Sequence, residues 1–165
     1  MRRRFFIPAV AIAILGAGCS SGSEPATVTP GRGGAAGRAD AKTVVVYKSP
    51  TCGCCEMWSE HMNAAGFNVE IKATNSLDEV RQQVGVPSGQ GSCHTAVVGR
   101  YFVEGHVPAE DVKRLLAEQP EARGLVVPGM VLGSPGMEQG DIRQPYAVLL
   151  VAMDGTTSVY ARHNE

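Results

Sequence analysis

The sequence predicts an α/β domain, a central mixed sheet flanked by helices with an added C-terminal hairpin. Two observations carry that prediction. Strand-like and helix-like apolar patterns alternate from residue 43 to residue 119, with glycine or proline at the junctions. The last apolar segment, YAVLLVAMDGTTSVYARH, then turns back on itself at Asp154–Gly155.

Each element follows from its own residues. TVVVY (43–47) is β-branched with apolar residues on both faces, the pattern of a buried strand. Ser49 and Pro50 break it. A helix is expected from about Cys54 to Ala65, stopped by Gly66, with Trp58, Met62 and Ala65 on the face that packs on the sheet. FNVEIKA (67–73) alternates apolar and polar as a second strand does. Residues 76–85 open with Ser76 and carry Glu79 three positions later, a capping box. TAVVG and YFVEG read as two strands joined at Gly99 and Arg100. PAEDVKRLLAEQ (108–119) starts with Pro108 at the first helical position and ends before Pro120. The order β-α-β-α-β-β-α, with Cys52 and Cys55 spaced C-x-x-C at the first strand-to-helix turn, is thioredoxin-like.

The chain has 165 residues with 15 basic and 16 acidic side chains, a formal net charge of -1. No basic stripe is present to track phosphates, so no nucleic-acid partner is expected. Arg2, Arg3 and Arg4 precede FFIPAVAIAILGAG, the charged and apolar regions of an export signal. LGAGCSSGSE resembles a bacterial lipoprotein signal, although Gly16 stands where such signals carry leucine and Leu15 falls one step early. The resemblance implies a signal peptide over 1–19 and a lipidated Cys19 anchoring a periplasmic protein to a membrane. Ser20 favours the outer one. Residues 20–41 are rich in Gly, Pro, Ser and Ala without apolar period, which predicts a flexible linker. The folded domain is expected over 42–165.

Four cysteines lie beyond Cys19: Cys52, Cys54, Cys55 and Cys93. Structural disulfides suit them poorly, because crowded cysteines close tiny loops and strain the bridge geometry. A thiol–disulfide oxidoreductase would use Cys52 and Cys55, whose thiols a helix N-terminus activates. Such enzymes resemble one another in a cis-proline directly before the third strand. Here Pro87 comes too early, and Cys93 and His94 take that place. A soft-metal site explains more. In this fold the loop before the third strand lies against the first helix, so Cys93 would complete a pocket of four sulfurs, all favoured as thiolates. Neighbouring helical cysteines diverge by about 100° and suit sulfurs that bridge several ions better than one tetrahedral zinc. Thiolate selects Cu(I), Zn(II) or an iron–sulfur cluster, and no familiar iron–sulfur spacing occurs. Copper is the expected metal, several ions per chain.

YKSPTCGCCEMW, GSCHTAVVGRYFVEGHVP and VPGMVLGSPGME, in that order, resemble the CopG-like family of periplasmic copper-resistance proteins, across about residues 43 to 163. These are the small thioredoxin-like copper proteins, not the ribbon-helix-helix regulators of the same name. The resemblance implies copper held in a cysteine-bridged cluster and a role in copper tolerance by sequestration, redox conversion or transfer. Partners would be copper ions and other periplasmic copper-handling proteins. Cys52, Cys54, Cys55 and Cys93 match the family's cysteines, and His106 lies in the matching EGHVP. Val131 stands where the family more often has proline.

Further candidate ligands are His94, His106, Met130 and Met137. Each has an ordinary alternative. His94 could bond the backbone, and His106 could cap a helix or face solvent. Either methionine could fill a gap, although a thioether suits Cu(I). Met57, one turn after Cys54, is placed to cover the site, and His61 is expected in solvent.

Overall fold

The computed structural model describes residues 42–165; the signal region, Cys19 and the linker lie outside the described residues. The strands are β1 (Thr43–Lys48), β2 (Asn68–Ala73), β3 (His94–Val98), β4 (Tyr101–Glu104), β5 (Ala122–Val126), β6 (Tyr146–Ala152) and β7 (Thr157–His163). The helices are α1 (Gly53–Ala64), α2 (Leu77–Val84) and α3 (Ala109–Glu118). Among the described residues no helix is long and apolar enough to cross a membrane.

All seven strands form one mixed sheet in the order β2-β1-β3-β4-β5-β6-β7. β1 pairs parallel with β2 and antiparallel with β3, and β3 pairs antiparallel with β4. That four-stranded part, with its three helices, is consistent with the expected thioredoxin-like arrangement. β1 buries every second residue, Val44, Val46 and Lys48, rather than both faces equally. Trp58 and Met62 of α1 pack into the main core with Val44, Val46, Val98, Val103, Leu115 and Leu125, and Ala65 packs against its margin.

The sequence reading missed β5. Arg123 and Gly124 interrupt the apolar run there, yet β5 lies parallel to β4 and joins it to β6. A Cβ at position 124 would collide with the Phe102 carbonyl, so only glycine lets the two strands approach. The terminal hairpin is therefore a continuation of the same sheet. Its turn falls at the expected place: Gly155 takes φ +88, and Asp154 Oδ1 accepts the Thr156 N–H at 2.9 Å.

Helix ends differ from expectation in two places. Ser76 is the N-cap of α2 but makes no side-chain cap bond, so the capping box does not form. Pro108 is the N-cap of α3 rather than its first helical residue, and its ring has no polar group to offer the helix. His61 fills the gap: its Nε2 accepts the Ala109 N–H at 3.1 Å, so His61 is half-buried rather than in solvent. This contact ties α1 to α3. Trp58 Nε1 does the same to the preceding loop, donating to the Val107 carbonyl at 2.8 Å.

Candidate metal centre

β1 ends at Lys48, and the chain turns through Ser49–Thr51 into α1. Cys52 is the N-cap of α1, and Cys54 and Cys55 fall in its first turn. The buried Lys48 holds this turn from below. Its Nζ donates to the Ser49 and Cys52 carbonyls at 3.2 and 3.3 Å and pairs with Glu56 Oε1 at 3.1 Å.

Cys93 reaches the same place from the loop before β3. The ligand atoms of Cys52, Cys54, Cys55 and Cys93 all lie within 4.8 Å of one another. Cys54 Sγ sits 3.6 Å from Cys52 Sγ and 3.7 Å from Cys93 Sγ. Cys55 is fully buried, with its Sγ 3.5 Å from the Cys93 carbonyl oxygen. The divergence of neighbouring helical side chains does not separate them, because Cys93 approaches between Cys54 and Cys55. Cys52 and Cys55 are joined by a disulfide, leaving Cys54 and Cys93 as free thiols. The sulfurs thus have two arrangements available: four thiols, or one disulfide and two thiols.

The expectation that all these thiols are activated fails for Cys93. Burial, followed by the neighbouring Cys54 sulfur, pushes it up to about 12. A cation would have to displace that proton, which couples metal uptake to proton release.

Two histidines close the deep side. Cys93, His94 and His106 offer ligand atoms that also lie within 4.8 Å of one another. His106 neither caps a helix nor faces solvent. It is buried, Nδ1 donates to the Pro135 carbonyl at 2.7 Å, and Nε2 lies 2.9 Å from Cys93 Sγ. His94 is packed against Trp58, ring centroids 4.4 Å apart, and meets the His106 ring edge-on at 5.1 Å. Its Nδ1 is 3.4 Å from Cys93 Sγ, and its buried Nε2 has no hydrogen-bond partner among the described residues. Burial holds His94 well below the ordinary imidazole value and lowers His106 as well.

The methionines are placed differently. Met130 is 60% exposed and Met57 49% exposed. Met137 is half-buried in the loop after β5, its N–H donating to the Ser134 carbonyl at 2.8 Å. That loop closes over α1 at Gly136, where a Cβ would stand 2.6 Å from Trp58 N and 2.9 Å from the Cys54 carbonyl oxygen. Gly136 also takes φ +80, so the close approach requires glycine twice over.

Sequence reading missed the group that aims Cys93. Glu104, fully buried at the end of β4, accepts from Arg81 Nε at 2.9 Å, from the Ser92 N–H at 2.6 Å and from Thr95 Oγ1 at 2.6 Å. Arg81 also donates to the Ser92 carbonyl. Burial raises the Glu104 carboxyl, and its bonds to Thr95, Ser92 and Arg81 oppose that rise. Both peptide groups of Ser92 are thereby fixed, and Cys93 follows. The signal available was faint: an acid closing the apolar strand YFVE, with nothing in its spacing pointing to Arg81 in α2.

A family described as "Protein of unknown function, DUF411" matches residues 90–137, which span the Cys93 loop, both site histidines and Gly136. Among curated proteins, none matches the chain. Two solved structures do. "Copper resistance protein copG- Form 2" is 42% identical with a TM-score of 0.71, covering 73% of this chain and 97% of that one. "Copper resistance protein copG- Form 1" is 41% identical with the same TM-score of 0.71, covering 74% and 98%. With that identity over nearly the whole of each neighbour, and with the four-cysteine pocket in place, the chain belongs to the CopG family of copper resistance proteins.

Proposed function

We propose that this chain is an exported copper-binding protein that holds Cu(I) across Cys52, Cys54, Cys55 and Cys93 when all four are reduced. One observation carries the reading: four sulfur ligand atoms within 4.8 Å of one another, drawn from a helix start and a separate loop. Thiolates at that spacing suit a soft monovalent ion, and sulfurs in mutual contact suit bridging between several ions. The copper resistance named for the solved neighbours supports copper over zinc. Holding, converting or passing on copper would each contribute to tolerance. Cu(I) and Cu(II) are cargo here, taken up with loss of the cysteine protons. His94 and His106 border the sulfurs, and Met130 and Met137 remain candidate thioether ligands from the loop.

Elemental analysis of the reduced protein after anaerobic Cu(I) loading tests the reading, with more than one copper per chain expected. Saturation at one zinc with no preference for copper would point to a structural site instead. Export and anchoring through Cys19 are part of the same proposal. Cys19→Ser should release the protein from membranes, and unchanged partitioning would mean ordinary signal cleavage.

A second reading, a periplasmic thiol–disulfide oxidoreductase, is favoured by the Cys52–Cys55 disulfide at the thioredoxin position. Against it, Cys93 rather than proline precedes β3, and Cys54 lies 3.6 Å from one sulfur of the working pair. Cys93→Ser separates the two readings. It should abolish cluster loading if the copper reading holds, whereas the second reading has it load copper normally and keep insulin-type disulfide reduction intact.

A further inference from the structure

Cys54 and Cys93 are left as free thiols beside the Cys52–Cys55 disulfide, and their sulfurs stand 3.7 Å apart. Four cysteines allow three pairings, and the pocket favours one of them. A Cys54–Cys55 bond would join chain neighbours, whose side chains diverge by about 100° around a helix, which strains the bridge geometry. A Cys52–Cys54 bond would leave Cys55 to pair with Cys93. The buried Cys55 Sγ is instead turned to the Cys93 carbonyl oxygen, 3.5 Å away. Cys52–Cys55 with Cys54–Cys93 meets neither obstacle. Both partners of the second pair are also held. The loop after β5 closes on the Cys54 carbonyl at Gly136, and Glu104 and Arg81 fix the peptide groups of Ser92, next to Cys93.

We propose that the pocket oxidises in two steps, Cys52–Cys55 and then Cys54–Cys93, to a third arrangement with two disulfides and no thiol left for copper. The pairing stands on the sulfur geometry alone, whereas its consequence for copper rests on the four-thiol reading. Each step balances as thiol–disulfide exchange with a small disulfide such as glutathione disulfide. In the second step Cys54 attacks one sulfur of the oxidant, whose S–S bond breaks, and a first thiol leaves with the Cys54 proton. Cys93 then attacks the Cys54 sulfur of that mixed disulfide, and a second thiol leaves with the Cys93 proton. Two electrons pass to the oxidant in each step. The second bond spans 39 residues where the first spans 3, so it ties the loop before β3 to the start of α1. Closing the longer loop also removes more freedom from the unfolded chain. A pocket shut in this way reopens by reduction, so transfer of electrons from a dithiol is the class of reaction that must precede copper loading.

The test uses metal-free full-length protein carrying Cys19→Ser, so that only the four pocket thiols are counted. It is fully reduced, then equilibrated with excess glutathione disulfide, and read by thiol titration, intact mass and tryptic mapping. The expected product has no free thiol and has lost four hydrogens. Its peptide carrying Cys93 is joined to the one carrying Cys52, Cys54 and Cys55. Adding Cys54→Ser should abolish that link and leave the Cys52–Cys55 bond. Two thiols persisting in the oxidised protein, glutathione adducts in place of the second bond, or a Cys93 link that survives Cys54→Ser overturns the inference. Anaerobic Cu(I) titration against a chromogenic chelator then compares the two forms, with copper taken up by the reduced one and none by the doubly oxidised one. Uptake by the doubly oxidised form overturns the proposed closure to copper. If both disulfides form but the reduced protein binds no Cu(I), the four-thiol reading falls and the pairing stands.

Discussion

Two regions of the domain arrange polar groups in opposite ways. Between α3 and the terminal hairpin, donors meet acceptors. Asp111 Oδ2 lies 2.7 Å from His163 Nε2, and Arg114 donates to the Tyr160 carbonyl at 2.8 Å with its guanidinium 3.7 Å above the Tyr160 ring. The Tyr160 hydroxyl completes the set with Glu118 Oε2 at 3.0 Å. At the cysteine pocket, like faces like. Sulfur meets sulfur at 3.6 and 3.7 Å, and His94 Nε2 has no partner among the described residues. Complementary groups satisfy one another and hold a structure together. Lone pairs gathered on one point are satisfied by the thiol protons, by a cation that displaces them, or by a covalent bond between the sulfurs themselves. The difference separates a structural cluster from a working one without reference to motif.

The sharpest way to break this contrast is Cys93→Ser. A serine hydroxyl is nearly the same size but stays protonated and is a hard, poor ligand for Cu(I). Copper uptake should fall about as far as in Cys52→Ser while the circular dichroism spectrum is retained. Normal loading of Cys93→Ser would remove the pocket's claim to be the working region.

Next in size is Glu104→Ala, which removes the buried partner of Arg81, leaving it Asp78 and the Ser92 carbonyl, and deprives the Ser92 N–H and Thr95 hydroxyl of their acceptor. Breaking a buried charge pair in this way costs about 3–5 kcal/mol. Urea denaturation should show that loss, together with weaker Cu(I) binding because the Cys93 loop is no longer fixed. Stability within about 1 kcal/mol of the parent would show that the network carries little.

Acid should separate the regions more gently. His94 and His106 have folded-state values below their ordinary 6.5, so the unfolded chain binds their protons more readily. Their contribution is therefore fully present above the ordinary value and is lost as pH falls below it. Each imidazole held neutral adds a slope of up to about 1.4 kcal/mol per pH unit. The urea midpoint of metal-free protein should drop between neutral pH and about pH 5.5, and less steeply in His94→Phe. Identical slopes in the two proteins would show that His94 is not held neutral.

The smallest effect belongs to the hairpin. Asp111→Asn keeps the shape but weakens the bond to His163, for about 1 kcal/mol. The melting temperature should fall slightly and Cu(I) loading should not change. A loss of copper binding here would mean the two regions are coupled.

Local chemistry made much of this legible in advance. Helix and strand limits near 43–119 follow from apolar period and from Gly66, Pro50 and Pro120, all of which act through their own backbone. The hairpin turn at Asp154–Gly155 was legible for the same reason. β5 was not, because Arg123 and Gly124 look like a loop until β4 is laid beside them. The capping box at Ser76 and Glu79 failed for a related reason: the pattern permits the bond but does not compel it, and the Ser76 N–H is taken by Thr74 Oγ1 at 3.0 Å.

The sulfur inventory, the crowding of three cysteines at a helix start and the family resemblance could all be read from residue type and spacing alone. Folding adds what spacing could not: Cys93 arrives against both Cys54 and Cys55, Pro135 turns His106 toward it, and Glu104 and Arg81 hold Ser92 in place. Those pairs are 38 and 39 residues apart for Cys93 with the helix cysteines, 29 for His106 with Pro135 and 23 for Arg81 with Glu104. Contacts at such separations are set by how the sheet and helices pack, which no short stretch of sequence encodes. The same packing withholds water from His94 and His106 and so fixes their charge, a property that depends on burial rather than on the histidines themselves.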